Sequence, residues 1–332
     1  MWKQIDEIQD KRLRQCSTSL PDLIFGAYAD STLGKYRNAW RKWNSWCSEF
    51  PEISNCPADP FYVALYFNDI VSHEGKEGAL TAAYLGIRWG HHSSGHLSPT
   101  DHPFVKLALE GGKRILAKNG NAKNQKEILS SDLIKEIVQL YGSSDNLMHL
   151  RFLLICLIGF TGFLRVSELL NLKISDITFS KSGVTLFVEK SKTDQLREGN
   201  LVYISKLESR CCPVFWLNKY LSVTGLKDQS SAYLICRLFK TKKGHNAHGK
   251  YPISYSTIRE TFKDHLARII DPKKFCLHSL RSGGASAAAN HGITDRQISK
   301  HGRWSSTSNS SRDRYIKDSA SNRFKVTQSL GL

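Results

Sequence analysis

The chain has 332 residues, 40% of them hydrophobic and 10% aromatic, and carries 47 Lys and Arg against 30 Asp and Glu for a formal net charge of +17. That apolar content excludes a disordered chain and is enough for one large or two ordinary cores, with two domains the expectation at this length. Residues 1–120 account for only +1 of the charge and residues 121–332 for +16, a field that draws a polyanion, inside a cell nucleic acid, to the second part of the chain.

In chain order, the opening Met1-Trp2-Lys3-Gln4-Ile5-Asp6-Glu7 has no apolar stretch of the secretory kind, which predicts an intracellular protein whose eight cysteines are reduced thiols. Over 31–50, Leu33, Tyr36, Trp40, Trp43 and Cys47 fall three or four apart and predict a helix with one apolar stripe. Lys35, Arg41 and Lys42 lie off that stripe, on a face that is either solvated or in contact with phosphates. Helices are predicted over 60–71, opened by Pro60, over 79–90 and over 103–116, with 90–103 and its His91, His92 and His96 as a loop. Residues 1–117 thus make a small helical bundle, 118–127 a polar linker with nothing to bury, and 128–332 the second domain.

In that domain helices are expected at 131–141, after the capping residues Ser130, Ser131 and Asp132, and at 151–160 and 164–172. The apolar run 152–164 is broken by Thr161 and Gly162 and bracketed by Arg151 and Arg165; it is too short for a bilayer, so no membrane partner is expected. Val184, Leu186 and Val188 alternate with Thr185, Phe187 and Glu189, which predicts a strand answered by 201–204 across a polar turn at 190–199. Helices return over 256–270, 279–290 and 294–301, the last with a Thr294-to-Gln297 capping box and Gly302 at its end. The whole reads as mainly α with a small β-sheet. Adjacent Cys211 and Cys212, with His245 and His248, lack Cys-x-x-Cys spacing, so no metal site is expected.

Four elements of the basic part stand out together: Thr161-Gly162-Phe163-Leu164-Arg165-Val166-Ser167-Glu168, Lys190-Ser191-Lys192 in the turn, His278-Ser279-Leu280-Arg281, and His301-Gly302-Arg303-Trp304 followed by Arg312-Asp313-Arg314-Tyr315. In this order they resemble the tyrosine recombinase (phage integrase) family, whose constellation is Arg, Lys, His-x-x-Arg, His or Trp, and a nucleophilic Tyr. The resemblance covers roughly residues 125–320, and the helices before them look like the family's core-binding domain. Two departures are visible: Phe163 is one residue more than the family's Thr-Gly-Leu-Arg, and the 11 positions from Trp304 to Tyr315 are slightly more than usual and rich in Ser.

Each residue type suits cleavage of a phosphodiester. Bidentate guanidinium groups, here Arg165 and Arg281, hold the charge that develops on the non-bridging oxygens, and Glu168, one turn on, orients an arginine or pairs with it. The resemblance makes Tyr315, the sole Tyr after Tyr255, the expected nucleophile; its phenol would need the neighbouring cations, and His278 could take its proton. By the same resemblance Lys192 at the turn is the expected general acid for the leaving 5′ oxygen, with Lys190 its rival, and Trp304 would donate its indole N–H to a phosphate oxygen, with His301 the alternative.

The resemblance implies a helical core-binding domain and a mixed α/β catalytic domain that clamp double-stranded DNA. It implies a site-specific recombinase that acts as a homo-tetramer on DNA, monomeric or weakly associated without it. The chemistry would run through a 3′-phosphotyrosyl link and a Holliday junction, without metal, ATP or other cofactor. The Gly-Arg-Trp and Asp-Arg-Tyr elements look more like recombinases of eukaryotic mobile elements of the Crypton or DIRS type, which would place the protein in a nucleus. Two other readings share the residues: a DNA-binding descendant that no longer catalyses, and a type IB topoisomerase-like enzyme.

Overall fold

The computed structural model describes residue 5 and residues 7–73, 75–119, 126–189, 199–242, 244–304 and 312–317. Lys190, Lys192, the Ser-rich stretch before Arg312 and the C-terminal end lie outside the described residues. The chain divides into two compact units, Met1–Asn124 and Gln125–Leu332.

The first unit is all helical: α1 (Lys11–Thr18), α2 (Leu20–Phe25), α3 (Asp30–Cys47), α4 (Pro60–Ser72), α5 (Glu77–Ser93) and α6 (Pro103–Asn119). Asp59 caps α4 through Phe61 N, with Pro60 where a missing N–H costs nothing. Trp43, Phe67, Leu80, Ile87 and Val105 form the core, and Lys35, Arg41 and Lys42 are exposed on α3. Gly86 lets α5 lie directly on α3, since a β-carbon there would meet that of Ala39 at 2.5 Å. The loop expected from residue 90 begins at Ser94, four residues later, and His91 is no loop residue. It is fully buried on α5, its Nδ1–H donating to Ile87 O at 2.8 Å and its Nε2 accepting from Ala58 N at 2.9 Å. Helix α6 runs through Asn119, past the expected boundary at 117, while Glu127 is already tied to the second unit by its N–H to Lys274 O at 2.8 Å.

The second unit is built on α8 (Leu147–Thr161), whose residues 150–159 are buried on every side. Around it pack α7 (Ser131–Tyr141), α10 (Pro213–Thr224), α11 (Tyr255–Leu266) and α12 (His278–Asn290), with short α9 (Val166–Asn171) after its C-terminus and α13 (Asp295–Gly302) following α12. Ser130 caps α7, its Oγ accepting from Leu133 N, and the Thr294–Gln297 capping box opens α13. An antiparallel sheet β1 (Ile177–Phe179), β2 (Gly183–Val188), β3 (Asn200–Ser205) pairs Val184 with Ile204 and Leu186 with Val202, one apolar face turned to the core.

A second hairpin, β4 (Cys236–Thr241) with β5 (Gly244–Pro252), has no counterpart in the sequence pattern. Its residues are mostly polar or cationic; Cys236 is buried in the core and Leu238 and Ala247 pack against it, too few for a period-two apolar run. Among the described residues no helix is long and apolar enough to cross a membrane.

Candidate active site

The loop between α8 and α9 carries the first cluster. Phe163, the extra residue, takes a left-handed φ of 46°, which absorbs the added length in a tight bend and turns its carbonyl inward. Its ring stands edge-on to His301 at 4.6 Å and packs in a small cluster with Ala285, Ile298 and Trp304. Two residues on, Arg165 stands at the N-cap of α9 and donates twice to Glu168: its backbone N–H to Oε2 at 2.8 Å and its Nη1 to Oε1 at 2.6 Å. Burial works to raise the Glu168 carboxyl. The charges of Arg303 and Arg165 and the N–H groups of Arg165 outweigh it and hold the group below the usual carboxylate range.

Helix α12 delivers the second cluster. Its close approach to α8 depends on glycine: a β-carbon on Gly284 would run into the Phe160 carbonyl and the Phe163 ring. His278, in the first turn, faces solvent, while Arg281, three residues on, is fully buried. Arg281 donates to the carbonyls of Phe163 and Gly302, and its guanidinium carbon lies 4.3 Å from the Trp304 ring centroid and 5.3 Å from that of Tyr315. Burial, reinforced by the charge of Arg165, pushes its pKa down. Thus the two arginines expected to act as a pair differ: Arg165 keeps a partly open side chain, 11% exposed, and Arg281 binds backbone.

Tyr315 completes the arrangement. Its Oη lies 2.9 Å from His278 Nε2, and its ring is 5.4 Å from that of Trp304. The segment is held on α12 by Ser286, whose Oγ donates to Tyr315 O at 3.1 Å and accepts from Lys317 N at 2.9 Å, and on α13 by an Arg312–Asp295 ion pair at 3.2 Å. Trp304 is buried, its Nε1 with no hydrogen-bond partner among the described residues. His301, the alternative to it, is committed elsewhere: Nε2–H donates to Thr161 O at 2.8 Å, and burial together with Arg303 and Arg281 lowers its pKa.

The structure therefore brings Arg165, Glu168, His278, Arg281, Trp304 and Tyr315 into one site. Lys35, Arg41 and Lys42 lie in the first unit. The helix α13 ends on Gly302 as expected, but sequence reasoning missed Arg303 as a site residue. The left-handed C-cap is Arg303, φ 56°, and its side chain enters the site. Its only signal was position, between Gly302 and Trp304.

The comparisons with known proteins agree with this geometry. Residues 127–321 match the phage integrase family. The chain is 26% identical over 270 residues to the "Integrase/recombinase xerD homolog" of Selenomonas ruminantium, covering 80% of this chain and 75% of that protein. It is 23% identical over 295 residues to "Recombinase cre" of Escherichia phage P1, covering 84% and 82%. In fold it is similar to the Tn1549 transposon integrase in complex with transposon right end DNA, at a TM-score of 0.59 and 11% identity over 91% of this chain and 94% of that one. A lambda integrase dimer bound to a COC′ core site gives 0.53 and 17% over 90% and 92%. With most of the second unit inside the match and relatives of this kind, the chain belongs to the phage integrase family and is a tyrosine-type site-specific recombinase.

Proposed function

We propose that the chain cleaves and rejoins double-stranded DNA by attack of Tyr315 Oη on a phosphodiester. The phosphorus–oxygen bond to the 5′ side breaks, a 3′-phosphotyrosyl link forms, and the 5′-hydroxyl leaves. The carrying observation is the 2.9 Å contact of Tyr315 Oη with His278 Nε2 beside Arg281 and Trp304, within reach for proton transfer from phenol to imidazole. Arg165 meets the non-bridging charge, and Lys192, or Lys190, protonates the leaving oxygen. The link conserves the energy of the broken bond, so a second strand's 5′-hydroxyl can reverse the step without ATP, and guanidinium groups supply the charge that metal ions supply in other nucleases.

The exchange would run through a Holliday junction in a tetramer of this chain, as the solved lambda integrase tetramer is bound to one. A second reading, a DNA-binding descendant without catalysis, is favoured by the closed position of Arg281, whose terminal nitrogens bond two carbonyls. A nicked suicide DNA substrate separates the two. Wild type should form a covalent protein–DNA adduct and Tyr315→Phe none; absence of an adduct with every nicked site, or an adduct with Tyr315→Phe, overturns the catalytic reading.

A further inference from the structure

Three guanidinium groups meet one buried carboxylate, and the sequence motifs give a role to only two of them. The third, Arg303, occupies a left-handed C-cap that glycine takes without strain and that a β-carbon disfavours. A turn alone would not call for a long side chain there. Yet the side chain is buried and both its terminal nitrogens are engaged: Nη2 donates to Glu168 Oε2 at 2.7 Å and to Phe163 O at 3.0 Å, and Nη1 to His301 O at 2.8 Å and Gly162 O at 3.3 Å. One guanidinium thereby ties the end of α13, which leads into Trp304, to the loop that leads into Arg165.

The division of Glu168 gives this its chemical sense. Oε1 takes Arg165 Nη1, while Oε2 is shared between Arg303 and the Arg165 backbone N–H. Arg303 thus stands where a second guanidinium nitrogen of Arg165 would otherwise close a two-pronged grip on the carboxylate. Its positive charge also cancels that of Glu168, so the charge of Arg165 is left to an incoming anion.

We propose that Arg303 is a positioning residue of the cleavage reaction, one that occupies Glu168 so that Arg165 presents its remaining N–H groups to the scissile phosphate. The inference rests on the catalytic reading of Tyr315. It is tested in the full chain with the suicide substrate, comparing wild type, Arg303→Met, Arg303→Lys and Arg165→Ala on an ordinary scissile phosphate and on a neutral methylphosphonate.

Arg303→Met should bind DNA within about twofold of wild type and form adduct roughly tenfold to a hundredfold more slowly at saturating DNA. On the methylphosphonate, where less charge develops, its defect and that of Arg165→Ala should both shrink to about threefold or less. Arg303→Lys, which keeps the charge but not the fork, should recover part of the rate. Should Arg303→Met melt out, Arg303→Gly, suited to the positive φ, carries the same comparison. An Arg303→Met rate equal to wild type, or a defect of equal size on both substrates, overturns the proposal. Failure of wild type itself to form an adduct overturns instead the reading beneath it.

Discussion

Removing the charge from Glu168 probes the centre of the site directly. Glu168→Gln keeps the shape and one acceptor oxygen but leaves Arg165 and Arg303 facing a neutral amide. All three side chains are shielded, at 1% exposure for Glu168, 11% for Arg165 and 2% for Arg303, so little solvent screening softens the loss. Breaking a buried pair from one side costs about 3–5 kcal/mol. A unit of about 200 residues loses ~2–4 °C per kcal/mol, so the melting transition of the second unit should fall by about 6–20 °C at pH 7.

The pH dependence has a definite sign. Glu168 titrates lower in the folded protein than in the unfolded chain, so its stabilisation is complete above the unfolded value of about 4.3 and is lost as pH falls through the lower folded one. Calorimetry of wild type and variant should therefore show melting temperatures that converge only below about pH 4. A loss below about 1 kcal/mol at pH 7, or a gap that stays constant down to pH 3, would refute the reasoning.

Two further substitutions test the supports of the site and of the first unit. Gly284→Ala should destabilise the second unit by about 1–3 kcal/mol through overpacking against Phe160 and Phe163 and slow adduct formation with it; chemical denaturation and the suicide substrate read both, and a neutral effect would show that α12 can move off α8 at no cost. His91, whose pKa burial lowers, is neutral in the fold and accepts from Ala58 N. Its stabilisation is present above the unfolded value of about 6.5 and lost as pH falls toward the lower folded one. Urea midpoints of the first unit, followed by the fluorescence of the tryptophans around Trp40, should drop between about pH 7 and 5 in wild type and stay flatter in His91→Gln; parallel curves would exclude His91 as the cause.

The helices legible in the sequence were those with a strong local signal. The α3 stripe from Leu33 to Cys47, the Pro60 start of α4 and the Thr294–Gln297 box of α13 all act within one or two turns, so local order suffices to write them. The strands β2 and β3 were legible because half their residues face one core. The hairpin of β4 and β5 was not, because its pairing is satisfied by backbone while its side chains stay polar, and His91 was misplaced because its burial depends on Ala58, 33 residues away.

The candidate site divides along the same line. The resemblance of four ordered motifs to the tyrosine recombinase family selected Arg165, Glu168, His278, Arg281, Trp304 and Tyr315, and phosphodiester chemistry, which demands cations, a base and a nucleophile, suits each residue type. Only the tertiary structure decided how they are used. Arg281 turns inward to two carbonyls, and Arg303, to which no motif gave a role, takes one oxygen of Glu168 together with the Arg165 backbone. A guanidinium has five donors to satisfy, and which of them remain for substrate depends on acceptors brought in partly from far along the chain, as Phe163 O is for Arg281 at 118 positions and Glu168 for Arg303 at 135.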